Sequence, residues 1–334
     1  MTGVGEREKL RVGERESGGD RLPLSHSPTP QPSNARIYGE AMPDNAFGIC
    51  IVGLGLMGGS LALALRSNVQ RSNVPTFNVS RIIGVSRSVE TLNAALAAGA
   101  LDAATTDLAE GVAAADVIVL ATPVRTILRL LPEVGRHARP GALVIDMGSS
   151  KAQICAAMAD LRDGLQPVGA HPMCGKEIAG FAAAEANLYQ DRPFVLCPLE
   201  RTAPEALEAA RSLALAVGGR PIVVDPGVHD CAVAAISHLP YAVAATLVRT
   251  VDTSGDELAW ALAASGFRDT TRVAASDVDM MLDTLLTNRE AVLDWLDAFA
   301  DQLAVLRAAL ADGDEAGLRA QLTAAQTRRA GMRF

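Results

Sequence analysis

A chain of 334 residues is long enough for about two domains, and with 49% hydrophobic residues each can bury its own core. The 30 Lys and Arg against 38 Asp and Glu leave a net charge of -8, the wrong sign for a nucleic-acid or anionic-membrane partner. Cysteines at 50, 155, 174, 197 and 231 form no Cys-x-x-Cys pair, which argues against a disulfide framework or a zinc knuckle and suits a reducing cytoplasm.

Residues 1–45 mix alternating charges with Ser, Pro and Gly, and predict a disordered N-terminal extension. Its acidic residues argue against an organellar transit peptide, and it lacks the apolar core of a secretory signal. Met42, just before the first strand, is an alternative start. The apolar run 47–52 is followed by Gly53-Leu54-Gly55-Leu56-Met57-Gly58 and an amphipathic helix over 59–68. Strand, G-x-G-x-x-G, helix is a dinucleotide-binding arrangement. Gly53 permits the tight turn, Gly55 lets backbone approach a pyrophosphate, and Gly58 lets helix pack on strand, with Leu56 and Met57 at the phosphate-facing helix start. Without that context the pattern is a glycine-rich turn and no more.

After a polar loop over 70–80, a strand over 81–85 ends in Ser86-Arg87. An NAD site usually places Asp or Glu here for the ribose 2′-hydroxyl. This chain has none, and Ser86 with Arg87 suits the 2′-phosphate of NADP better than NAD, the alternative being an arginine on a solvated helix start. The next strand, 116–122, closes on Thr122 and Pro123, which would border the cofactor ribose, before a helix ending near Arg136. A strand over 142–147 turns through Gly148-Ser149-Ser150-Lys151 into another helix; Ser149 reads first as an N-cap, although one hydroxyl can cap a helix and still face the cofactor crevice.

The stretch Gly169 to Gly180, GAHPMCGKEIAG, sets His171 in a glycine-flanked loop. Pro172 biases the residue before it toward extended geometry, so His171 should project from the carboxyl end of a strand over 166–170, where open α/β sheets place ligands. A neutral imidazole there can accept a hydroxyl proton, as oxidation of an alcohol carbon requires. The competing reading is a satisfied structural histidine; a His171–Cys174 nucleophile or metal pair lacks a third group at usable spacing. A helix around 177–187, a strand over 193–197, a helix over 204–217 and a strand over 221–224 complete the alternation. This predicts an N-terminal Rossmann-type, doubly wound, mostly parallel α/β sheet with extra strands over 46–226.

From His229 onward strand patterns stop, and helices are predicted over 229–250, 256–264, 277–311 and 314–328. The apolar run 231–248 is long enough to raise the question of a membrane span, but Ser237, His238 and Pro240 in its middle favour a helix at a core or subunit interface. The expectation for 227–330 is an all-helical domain that binds substrate and dimerises, with no appended regulatory domain. Within Gly266-Phe267-Arg268-Asp269-Thr270-Thr271-Arg272, the two arginines stand four apart on one helical face; such a guanidinium suits a carboxylate, and Asp230 is an acid available to hold it.

Together, GLGLMGGSLA (53–62), ATPV (121–124), DMGSSK (146–151), GAHPMCGKEIAGF (169–181), HD (229–230), ISHLP (236–240) and GFRDTTRVAASD (266–277) resemble the prephenate dehydrogenase family, including its arogenate dehydrogenase members. The resemblance implies an NAD(P)-dependent oxidative decarboxylation in tyrosine biosynthesis, carried out by a cytoplasmic homodimer without a metal. His171 would accept the proton of the ring 4-hydroxyl as hydride leaves that carbon. Ser149 would stand between cofactor and substrate, Arg272 would bind a substrate carboxylate with Asp230 as its gating partner, and His238 and Ser276 would line the pocket. Tyr241 and Met281 stand where prephenate-using relatives often carry His and Trp, so both bear on the choice between prephenate and arogenate. Two rival readings are a β-hydroxyacid-type dehydrogenase, which would rely on a lysine in the helical half where none follows Lys176, and a catalytically silent NADP-binding dimer.

Overall fold

The computed structural model describes residues 47–68, 77–176 and 178–332. The expected disordered extension over 1–45, the Met42 start and most of the polar loop over 70–80 lie outside the described residues.

Eight strands form one sheet, β1 (Phe47–Val52), β2 (Val79–Val85), β3 (Ala103–Thr105), β4 (Val117–Leu120), β5 (Leu143–Asp146), β6 (Gln166–Pro172), β7 (Pro193–Pro198) and β8 (Arg220–Val223). Their spatial order is β3-β2-β1-β4-β5-β6-β7-β8. All neighbours run parallel except β6 and β7, so the expected mostly parallel, doubly wound sheet is present. The central strands read as unbroken apolar runs because both faces are covered. In β1, Ile49 and Ile51 enter the core on one face while Cys50 and Val52 enter the core on the other. Each such fully buried aliphatic side chain contributes about 1.5–3 kcal/mol.

Helices α1 (Leu56–Asn68), α2 (Val89–Ala97), α3 (Leu108–Ala113), α4 (Val124–His137), α5 (Ala152–Ala159) and α6 (Pro204–Ala216) belong to this half. Strand β3 and helices α2 and α3 escape the hydrophobic pattern because they are short. They are marked instead by their caps, Ser88 accepting from Thr91 N–H and Asp107 from Glu110 N–H.

One expected helix is absent. The stretch expected as a helix around 177–187 is, among the described residues, a loop with a single 3₁₀ turn, Phe181–Ala183. Gly180 precedes it at φ 94, a left-handed conformation that no helix tolerates. The loop straps across α1 instead. A Cβ at Gly59 would stand 2.7 Å from the Phe181 ring, Ser60 Oγ accepts from Glu185 N–H at 2.9 Å, and Tyr189 donates to the Met57 carbonyl at 2.5 Å.

After β8 everything is helical: α7 (Pro226–Val233), a π turn (Ala234–His238), α8 (Leu239–Asp252), α9 (Glu257–Leu262), α10 (Ser265–Thr271), a 3₁₀ turn (Arg272–Ala275), α11 (Val278–Thr287), α12 (Arg289–Ala311) and α13 (Glu315–Ala330). The expected single helix over 277–311 is broken at Asn288, whose side-chain amide donates to the Asp230 carbonyl at 2.7 Å and lies 3.2 Å from His238 Nδ1. The composite helix over 226–252 is long and apolar enough to cross a membrane by length and composition. It nevertheless buries His229, Asp230 and His238, and packs on α5 and α12.

Several polar contacts join the helical half to the sheet half. Asp283 caps α4 and pairs with Arg125, accepting from its N–H at 3.1 Å and its Nε at 2.5 Å. The hydroxyls of Ser150 and Thr287 meet at 2.7 Å in a buried position. Asp230 accepts from Lys151 N–H at 2.6 Å and Ala152 N–H at 2.8 Å, satisfying two of the orphan donors at the start of α5.

Candidate functional site

The carboxyl ends of β1, β4, β5 and β6 open into a cleft of about 430 Å³, closed on its other side by the helical half. Gly55, Leu56, Met57, Thr122, Pro123, Ser149, His171 and His238 all lie on its wall.

The first turn has the geometry a dinucleotide needs. Gly53 adopts φ 96, and a Cβ there would stand 2.6 Å from the Ala121 carbonyl oxygen. Its N–H donates to the Val85 carbonyl at 2.8 Å, tying the turn to the end of β2, where Ser86 and exposed Arg87 follow. A Cβ on Gly58 would collide with the Gly53 carbonyl oxygen at 1.9 Å, so only glycine lets α1 start this close to β1. Around Gly55 nothing stands within 4 Å of such a Cβ, leaving the backbone open on the cleft side. Thr122 Oγ1 is buried and makes no hydrogen bond within the described chain, a polar atom that awaits a ligand group. Open backbone at a helix start with an orphaned hydroxyl beside it fits a dinucleotide.

His171 sits one residue inside the end of β6 rather than just past Ala170, as the sequence suggests. Antiparallel β7 carries the pairing on, His171 opposite Val195 and Pro172 opposite Phe194, after parallel β5 has ended. His171 Nδ1 lies 2.9 Å from His229 Nε2, the two rings edge to face, and His229 Nδ1 lies 2.7 Å from Asp230 Oδ1. Burial, reinforced by His229, Lys151 and His238 nearby, pushes the His171 imidazole well below its ordinary pKa. It is therefore neutral at neutral pH. Burial likewise brings His238 down to about 4.

Beneath His171 lies a fully buried ion pair between Lys151 and Asp146. Lys151 Nζ donates to the Ala170 carbonyl at 2.7 Å, and Asp146 Oδ1 accepts from Ala170 N–H at 2.9 Å. The backbone immediately before His171 is thus held from both sides by charged groups.

Several residues are placed differently from expectation. Asp230 does not gate Arg272: its carboxylate is engaged by the start of α5 and by His229, because the α7 helix points it at the sheet. Arg272, Ser276 and Tyr241 are absent from the described cleft wall; Arg272 is exposed at the start of the 3₁₀ turn, and Tyr241 lies about one helical turn beyond His238. Arg268, the other arginine of that pair, is exposed and bonds to Asp269 at 2.8 Å. Met281 is on the wall, together with Lys176, Ser237, Asp277, Met280 and Thr284. Lys176 is the one lysine or arginine there among the described residues, and pairs with Glu185 at 2.7 Å.

Residues 64–223 match the family description "prephenate dehydrogenase, nucleotide-binding domain", and 225–324 match "prephenate dehydrogenase, dimerization domain". The chain belongs to the prephenate dehydrogenase family. A prephenate dehydrogenase of Bacillus subtilis is 34% identical over 78% of this chain and 69% of its own length. A cyclohexadienyl dehydrogenase of Zymomonas mobilis is 32% identical over 80% of this chain and 90% of its own. Among solved structures, prephenate dehydrogenase from A. aeolicus in complex with hydroxyphenyl propionate and NAD+ superposes with a TM-score of 0.78 at 28% identity, covering 87% of this chain and 99% of that one. Synechocystis arogenate dehydrogenase gives a TM-score of 0.70 at 34% identity over 85% and 99%. This family member is an NAD(P)-dependent dehydrogenase of tyrosine biosynthesis.

Within the family motifs, Asp146 reads only as the end of a strand, Lys151 only as a turn residue, and His229 only as the neighbour of Asp230. A signal existed for the pair. A lone acid ending an apolar strand and a lysine five residues on, with no other charge between them, can be buried together only if they meet.

Proposed function

We propose that the cleft oxidises and decarboxylates a cyclohexadienol acid, prephenate or its amino acid counterpart arogenate, with NADP as the preferred cofactor. The observation that carries the reading is His171, held neutral on the wall of the same cleft that Gly55, Thr122 and Ser149 line. Gly53 to Gly58 would hold the pyrophosphate at the start of α1, Thr122 and Pro123 the ribose, and Ser86 with Arg87 the 2′-phosphate. When bound there, the nicotinamide supplies a hydride acceptor.

His171 takes the ring hydroxyl proton, which makes the carbon–hydrogen bond at that carbon a hydride donor. The ketone so formed is conjugated to the carbon bearing the ring carboxylate, and loss of carbon dioxide leaves an aromatic ring. No metal is needed. Ser149 hydrogen-bonds between cofactor and substrate, and His238, neutral at working pH, lines the substrate side. Lys176 offers the wall's cation to a carboxylate, and Arg272, on the exposed turn five residues before the wall residue Asp277, would have to swing in to do the same.

A homodimer would cover the apolar side chains that the helical half leaves exposed, among them Leu258, Leu262, Leu293, Leu303 and Leu310. The free thiols, three of them buried, suit a cytoplasmic enzyme. Buried His229, Asp230 and His238 weigh against a membrane location for the apolar helix, and the net charge against a nucleic-acid partner. The test is a steady-state assay of purified protein with each acid and each cofactor, following reduced nicotinamide. Turnover of neither acid, with tight cofactor binding, would favour a catalytically silent binding protein.

A further inference from the structure

We propose that His229 fixes the tautomer of His171, leaving its Nε2 as the unprotonated nitrogen that accepts the substrate proton. The inference rests on His171 being the base.

Its grounds are a directional chain of three groups. Asp230 is the fixed end, since a carboxylate offers only acceptors and both of its oxygens also take backbone N–H groups at the start of α5. The proton between Asp230 and His229, 2.7 Å apart, therefore belongs to His229 Nδ1. A neutral imidazole protonated at Nδ1 has its lone pair on Nε2. With His229 neutral, its Nε2 accepts across the 2.9 Å contact, and His171 Nδ1 donates. With Nδ1 carrying its hydrogen, neutral His171 keeps its lone pair on Nε2. The opposite tautomer would point an N–H at the substrate hydroxyl and could not act as a base. His229 is 3% exposed and Asp230 4%, so water does not compete for either bond. The remaining charged and titratable groups around His171, Lys151 with Asp146 and His238, make no hydrogen bond to its ring.

His229 is thus a positioning residue, acting on the reaction through His171. The experiment is ¹⁵N NMR of the full-length protein with labelled histidines, in which ring couplings show which nitrogen of His171 is protonated, alongside kinetics of His229→Leu and His229→Gln. Wild type should show His171 protonated at Nδ1. The leucine variant, without an acceptor, should lose on the order of 10²-fold in kcat with little change in KM. The glutamine variant, whose amide oxygen can accept the same hydrogen, should stay within about tenfold of wild type. An Nε2-protonated His171 in wild type, or equal kcat in the two variants, would overturn the proposal. His171→Asn keeps the two readings apart: if that variant still turns over, the base assignment itself fails, whereas a dead His171→Asn beside a fully active His229→Leu sinks only the tautomer role.

Discussion

Lys151 and Asp146 are both completely buried, and between them they hold the C=O and the N–H of Ala170, the residue before His171. A charge pair in this position costs desolvation and returns placement of the strand end. Removing one partner leaves the other charge without compensation. Lys151→Met should therefore destabilise the protein by about 3–5 kcal/mol, and adding Asp146→Leu should recover part of that loss. Urea unfolding midpoints decide the matter; a midpoint unmoved by Lys151→Met would mean that the pair holds nothing.

His171→Asn should lower kcat by about 10²- to 10⁴-fold while cofactor affinity, measured by titration of intrinsic fluorescence, stays nearly constant. A near-normal kcat would dismiss His171 as the base.

Acid should act on this enzyme in two ways. Because His171 is held below the usual histidine value, the acidic limb of kcat/KM should fall below about pH 6.5 rather than at it. Stability should fall with acid as well. For His171 and His238 the folded pKa is depressed, so the unfolded chain binds more protons, and stability present above about pH 6.5 is lost as pH falls through the folded value. For His238, brought down to about 4, the loss is about 3 kcal/mol. Thermal melts between neutral pH and pH 4 test this, and a flat melting temperature would contradict the burial of these rings.

Arg87→Ala should weaken NADP by roughly tenfold or more and leave NAD nearly untouched, since only one of them carries the 2′-phosphate. Equal losses for both cofactors would show that Arg87 serves the fold or a shared group.

The substrate carboxylate has two candidate cations, Lys176 on the wall and Arg272 on the exposed turn. Arg272→Ala should raise KM by a factor corresponding to about 2–4 kcal/mol. If KM moves only in Lys176→Ala, the wall lysine takes that role.

The glycine turn, the sheet and the place of His171 were legible because each depends on local chemistry: three glycines with three steric reasons, apolar runs buried on two faces, a proline setting its neighbour's backbone. The alanine and glutamate content around Phe181 favours a helix, while Gly180 and the fit of Phe181 against Gly59 decide otherwise. Asp230 departs from its expected partner for a related reason. Its acid character shows in sequence, but whether it faces Arg272 or the start of α5 depends on how the helical half docks on the sheet, a contact between residues 78 or 79 positions apart. Local pattern carries no information at that range.

The π turn at Ala234–His238 divides the long apolar helix into two segments that are out of phase with each other. One additional residue in a helix rotates everything after it by about 100°. His229 and Asp230, before the turn, face the sheet, whereas His238, at its end, reaches the cleft and Asn288. A regular helix would swing one of these two sets toward solvent. Deleting a single residue within 234–236 would accordingly leave every cleft side chain in the sequence and separate the ones that must meet, so the spare residue acts as a spacer measured in angle rather than in length.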